Sequence, residues 1–207
     1  MIYFFHEENL FPFNEQNLVL DDFRNGFRTG DRIASLKYSF KKKLKDGSKT
    51  IQVLLPVFIQ LPPLLTRSGL RTDFSPPRMF LTTDVETKTA RALEKIDERI
   101  FSLIQDKYEK KISNEEATGF FRKSPFSCDN GSLKVKLKVY GKDVMTTIGH
   151  RNKETSEELF IDSESTVSCL ACFQDIYYAD GKFFSRAFAH RLIVEEKKKR
   201  DEAFSML

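Results

Sequence analysis

The sequence predicts an α+β protein, mainly β, made of two long antiparallel hairpins, further strands, and one long amphipathic helix over about 84–111. Three observations carry this. Apolar residues recur at every second position over 36–40, 51–59 and 133–139. Asp46-Gly47 and Ala179-Asp180-Gly181 punctuate two of the extended stretches as hairpin turns. Between the hairpins the apolar period changes to that of a helix, with Ala90, Leu93, Ile96, Ile100, Ile104 and Tyr108 in one stripe.

Each element follows from its own pattern. Residues 1–31 are mixed, with loop-like Phe-Pro-Phe at 11–13 and a Gly-bearing stretch at 24–30, and read as an N-terminal extension suited to self-association. Leu36, Tyr38 and Phe40 share one strand face while Lys37, Ser39, Lys41 and Lys43 share the other. Ile51, Val53, Leu55, Val57 and Ile59 repeat the alternation, so 32–45 and 49–60 form the first hairpin. Pro62, Pro63, Pro76 and Pro77 make 61–78 a long loop, since proline cannot continue a central ladder. A short strand over 79–82 precedes Thr83 and Glu86, whose spacing fits a capping box at the start of the helix. Residues 112–131 and 149–158 read as loops, 132–140 as a strand, and about 166–178 and 182–194 as the second hairpin. The expected domain is 32–195, followed by a charged tail over 196–207.

Composition narrows the class. The chain has 207 residues, with 34 Lys+Arg against 30 Asp+Glu, a net charge of +4, and 40% hydrophobic content, the balance of a globular domain. The longest apolar stretch, Ile51 to Leu65, is broken by Gln52, Gln60 and prolines, so no membrane span is expected. The first residues lack a basic start followed by a long apolar run, which argues against a secretory signal. Three cysteines are too few for a disulfide framework and point to a reducing intracellular compartment.

Chemistry-bearing motifs are absent. Cys169 and Cys172 form a lone C-x-x-C without a second ligand pair, and on a strand they point to opposite faces, so buried thiols are expected rather than zinc. No nucleophile elbow, metalloprotease helix, P-loop or dinucleotide fingerprint occurs. Glu94, Asp97 and Glu98 alternate with Lys95 and Arg99 as on a solvated helix face. The expectation is a non-enzyme without cofactor or metal.

The basic strands say more. Lys134, Lys136 and Lys138 project from one strand face about 7 Å apart, followed by Tyr140 and Lys142. That spacing suits the phosphates of an extended nucleic-acid strand. In the last strand Lys182, Phe184, Arg186, Phe188 and His190 share one parity and mix cations with flat rings. Lys41, Lys42 and Lys43 add charge on the first hairpin, and Arg67, Arg71 and Arg78 on the proline loop. Each feature also has an ordinary explanation: lysines decorate solvated strands, and one aromatic face must be core. Ala187 and Ala189, on the opposite parity, compete with Phe184 and Phe188 for the packed side.

The order of elements, and the closing run Gly181-Lys182-Phe183-Phe184-Ser185-Arg186-Ala187-Phe188-Ala189-His190-Arg191-Leu192-Ile193-Val194 after Ile176-Tyr177-Tyr178, resembles single-stranded DNA-binding proteins of large DNA viruses and phages. The type is that of the poxviruses and African swine fever virus. The resemblance spans roughly 32–195, with likeness in letters confined to the closing hairpin. It implies an OB-like antiparallel barrel with an inserted helix, a single-stranded nucleic-acid ligand (DNA favoured) met during replication or recombination, a homo-oligomer, and the cytoplasm or nucleus of a host cell. Residues 196–207 do not form the extended acidic tail through which such proteins recruit partners.

On this reading Lys134, Lys136, Lys138 and Arg186 contact phosphates, and Tyr140, Phe184 and Tyr38 stack on bases. The rival expectation is a self-associating viral matrix or capsid-associated protein, resting on 20 phenylalanines and the apolar N-terminal segment. A nuclease or transferase without familiar motifs is the third.

Overall fold

A computed structural model describes residues 3–4, 13–43, 50–71, 80–107, 121–122, 128–129, 131–141, 143–150 and 160–195. The main elements are β1 (Leu18–Leu20), β2 (Arg32–Lys43), β3 (Thr50–Gln60), β4 (Phe80–Asp84), α1 (Thr87–Lys107), β5 (Ser132–Lys136), β6 (Thr147–His150), β7 (Thr166–Ala179) and β8 (Lys182–Glu195). The protein is mainly β with one helix among the described residues, as the alternation and the single 3.6-period stripe require.

The β7–β8 hairpin is the spine. Asp180 and Gly181 both take positive φ, 49° and 74°, the conformation of a two-residue hairpin loop whose twist matches that of the strands. Val167, Cys169, Ala171, Phe173 and Ile176 on β7, with Phe183, Ala187, Ala189, Leu192 and Val194 on β8, turn inward and are buried. The two alanines, not Phe184 and Phe188, thus mark the packed side. The register slips twice. Leu170 pairs with Arg191 but Ala171 with Ala189, leaving His190 over; Phe173 pairs with Ala187 but Asp175 with Arg186, leaving Gln174 over. Each extra residue is a β-bulge, which resets the facing of the residues beyond it.

The other edge of β7 is assembled from separated stretches. Arg32 to Ser35 of β2 pair with Tyr178 to Asp175, and Val57 to Gln60 of β3 pair with Phe173 to Leu170. Leu64–Leu65 continue the line against Val167 and Thr166. Between these stretches the chain leaves the edge: Lys37–Lys43 pair with Pro56–Thr50, and beyond Tyr38 the pair continues as a two-stranded arm. The predicted hairpin is therefore present, with residues 44–49 and the Asp46-Gly47 turn outside the described residues.

Residues 13–31, expected to precede the domain, join it. β1 pairs with Tyr38 to Leu36 of β2, and Leu18 and Leu20 are buried in the common core. Arg24–Asn25 pair with Ile33 and Arg32. α1 packs over this region through Leu93, Ile96, Ile100 and Ile104 of the predicted stripe and also through Leu103. Ala90 is half-buried, Tyr108 lies outside the described residues, and Asp97, expected on the solvated face, is buried. Its start is corrected. Thr83 is a buried residue of β4 whose hydroxyl donates to the Leu133 carbonyl at 3.3 Å, so it cannot serve a capping box. The first helical bond runs instead from Ala90 N–H to the Glu86 carbonyl at 2.9 Å.

β4 and β5 form a small three-stranded sheet with Cys128–Asp129, a short strand within the stretch 112–131 read as a loop; Lys134 stands opposite Thr82 and Lys136 opposite Phe80. The expected strand over 132–140 is interrupted: after Lys136, Leu137 bridges to Ala189, and Val139–Tyr140 turn back on Asp143–Val144. Within the expected proline loop, Leu64–Leu65 and Leu70–Arg71 are strands. Among the described residues no helix is long and apolar enough to cross a membrane.

Candidate nucleic-acid interface

Residues directly opposite in neighbouring strands share a face, so the register defines the outward surface of the central sheet. Phe188 stands opposite Cys172, and Cys172 opposite Phe58. Further along, Arg186 faces Asp175, Phe184 faces Tyr177, and Lys182 faces Ala179. The predicted parity of Lys182, Phe184, Arg186, Phe188 and His190 is thus an outward one, with rings half-buried and cations exposed.

Lys138 joins this surface from another strand. The Lys138 N–H donates to the Thr146 hydroxyl at 2.8 Å, and that hydroxyl donates to the Ala189 carbonyl at 2.7 Å. This buried relay, with the Leu137–Ala189 bridge, fixes the chain against β8 and carries the Lys138 ammonium to 4.9 Å from the centre of the Phe188 ring. His190 meets Phe58 edge to face at 5.1 Å. The bulge at His190 makes both it and Arg191 exposed. A cation over a ring with two more rings beside it is a surface that attracts phosphate and accepts flat bases.

Lys134 and Lys136 extend the basic row onto the small sheet, where Phe80 is exposed opposite Lys136. The Arg67 N–H donates to the Thr82 carbonyl at 2.9 Å, placing Arg67 on the other side of Thr82 from Lys134. Its side chain is ion-paired with Asp84. Tyr140 is 79% exposed and lies two residues beyond Lys138.

Arg186 is engaged. Its Nε and Nη2 both donate to the Asp175 carboxylate, which is 5% exposed. The bond to Asp175 pushes the arginine pKa further up, against the opposing effect of burial. Arg186 also lies over the Tyr177 ring at 5.9 Å. The Tyr177 hydroxyl donates to Asp31, and that hydrogen bond, together with burial and the carboxylate's charge, raises the tyrosine's pKa.

Other sequence candidates stand elsewhere. Tyr38 is 3% exposed, tilted against Phe13, and its hydroxyl accepts from Asn14 N–H and the Asn17 amide. It belongs to the core and offers no face to a base. Lys41 and Lys42 are exposed on the arm, opposite Gln52 and Ile51, about 20 Å along the strand from Phe58. Lys43 and Arg71 are placed by backbone alone, opposite Thr50 and Phe160. Lys142 and Arg78 lie outside the described residues.

Phe58, Tyr177, Asp175 and Phe80 were not singled out from sequence. Phe58 carried a signal, being out of phase with Val57 and Ile59. Asp175 carried none, because only the bulge at Gln174 aligns it with Arg186. Cys169 and Cys172 are free thiols on opposite sheet faces, and burial raises both pKa values, that of Cys172 to about 11. Among the described residues no three His, Cys, Asp or Glu are grouped as a metal site. No protein-family model matches the chain, and no match to a curated protein is found.

Proposed function

We propose that the outward face of the central sheet binds single-stranded DNA without acting on it chemically, protecting it during replication or recombination. The observation that carries this is Lys138 held over Phe188, with His190 and Phe58 adjoining on the same surface. Lys134, Lys136 and Lys138 supply a phosphate track, and Phe188, Phe58, Phe184 and Tyr140 supply rings for sequence-tolerant stacking. An OB-like closure of the sheet belongs to the same proposal; the way β2 divides between β7 and the two-stranded arm supports it. The test is fluorescence anisotropy of a labelled single strand of about 30 nucleotides at two salt concentrations, with duplex as competitor. Sub-micromolar binding that weakens with salt and resists duplex is expected. No binding at low salt overturns the reading.

A self-associating structural protein is the second reading, favoured by Phe27, which is 91% exposed. On that reading the chain sediments as an oligomer without nucleic acid, and Phe27→Ser dissociates it.

A further inference from the structure

We propose that Arg186 reads a base edge rather than a phosphate, presenting its second hydrogen-bonding fork to a base that carries two adjacent acceptors. This rests on the single-strand reading and deepens it. A guanidinium has two forks, one from Nε and Nη2 and one from Nη2 and Nη1, and its planarity fixes both in one plane. Asp175 occupies the first fork completely. No other hydrogen bond to Arg186 is made among the described residues, and its side chain is 43% exposed, so the second fork remains for a ligand.

Charge decides between the ligand groups. Asp175 is buried beneath the guanidinium, and the pair is neutral as a unit. A phosphate approaching Arg186 meets that carboxylate as well, so the attraction that draws phosphate to Lys138 is cancelled here. An uncharged acceptor pays no such penalty and gains two directional bonds. The surroundings suit a base: the Tyr177 ring lies under the guanidinium, and Phe184, directly opposite Tyr177, adjoins it on the outward face. Guanine offers O6 and N7 as neighbouring acceptors. Cytosine in a single strand offers O2 and N3 in the same arrangement, since its pairing edge is free. Adenine and thymine each place a donor beside their acceptors and cannot fill the fork.

Asp175 is then a positioning residue. It locks the guanidinium and removes its net charge, turning a general anion site into a selective one.

The experiment compares the affinity of the intact chain for an all-thymine strand, the same strand with interspersed guanines, with cytosines, and with 7-deazaguanines. Guanine or cytosine is expected to bind about tenfold tighter than thymine, the guanine and cytosine arms showing which source satisfies the fork. 7-Deazaguanine, lacking N7, should lose the guanine gain with no change to the protein. Arg186→Lys should bind all strands alike, because an ammonium has no planar fork. Asp175→Asn should abolish the preference and steepen the salt dependence by about 0.7 in log–log slope, as the arginine charge is unmasked. Equal affinity for all four strands, or a preference that survives Arg186→Lys, overturns the base-reading role and leaves single-strand binding standing. Failure to bind any of the strands overturns single-strand binding itself, and the preference with it.

Discussion

The Lys138 ammonium stands 4.9 Å from the centre of the Phe188 ring, although the two residues belong to unconnected segments. The Thr146 hydroxyl joins them, receiving the Lys138 N–H and donating to Ala189 beside Phe188. The outward face of the central sheet and a basic row are thus fastened at one point, and the first two predictions follow from their difference in chemistry.

Lysines that neutralise phosphates release counterions, so their loss shows in the salt slope. For single strands each contact is worth about 0.7 in the log–log slope. Lys134→Ala, Lys136→Ala and Lys138→Ala combined should flatten the slope by about 2. An unchanged slope in salt-titrated anisotropy removes these residues from the phosphate track.

Phe188 acts through its ring and not through charge. Phe188→Ala should weaken binding about tenfold at every salt concentration, leaving the slope as in the parent chain. Phe188→Tyr keeps the ring and should restore most of the affinity. Parallel titrations of the two variants decide the matter.

Stability should depend on which face a phenylalanine occupies. Phe173 is fully buried, so Phe173→Ala should cost about 3–5 kcal/mol in urea unfolding. Phe27→Ser, at an exposed position, should change the unfolding free energy by less than about 0.5 kcal/mol. A large loss at Phe27 would mean that it is covered in solution.

Gly69 is a site of close approach. A Cβ there would lie 2.8 Å from the Ile161 carbonyl oxygen, which is backbone and cannot swing aside. Gly69→Ala should cost about 1–3 kcal/mol by the same urea assay. Unchanged stability would show that the 160–162 segment moves freely from Leu70.

The thiols give a pH dependence of known sign. Burial lifts Cys172 from 9.0 to about 11, so the folded state holds a proton that the unfolded chain releases first. The associated stability is complete below pH 9.0 and declines as pH rises towards about 11. Cys172→Ala should therefore lose less stability than the parent between pH 9.0 and about 11, measured by unfolding midpoints at each pH. An identical loss in both proteins would show that Cys172 ionises as easily folded as unfolded.

Elements whose period is imposed by one buried face were legible in the sequence. α1 and the β7–β8 hairpin are such elements: the spacing of Leu93, Ile96 and Ile100 puts them on the core face, and alternation sets Ala187 and Ala189 on the face opposite Phe184 and Phe188, though it does not say which of the two is buried. The Asp180-Gly181 turn was legible for a local reason, the need for two positive φ angles. Pairing between distant segments was not. Nothing near Arg32 or Val57 announces that both will lie along β7. Two-residue strands such as Leu64–Leu65 are too short to show a period. At the site, alternation had already set Tyr38 beside Leu36, and its core position follows from that parity rather than from its ring. The Arg186–Asp175 pair was hidden because a bulge changes the facing rule midway along β7.

The divided edge of β7 has a kinetic consequence. β2 and β3 precede their common partner by more than half the chain, and Ile33 finds Tyr177, as Ile59 finds Ala171, only after β7 has been synthesised. The sheet cannot be laid down strand by strand as the polypeptide leaves the ribosome. Its edges must wait with unpaired amides until the acceptor emerges, so assembly is one late, long-range event. Truncated chains that stop before β7 should accumulate as aggregation-prone species rather than as smaller folded domains.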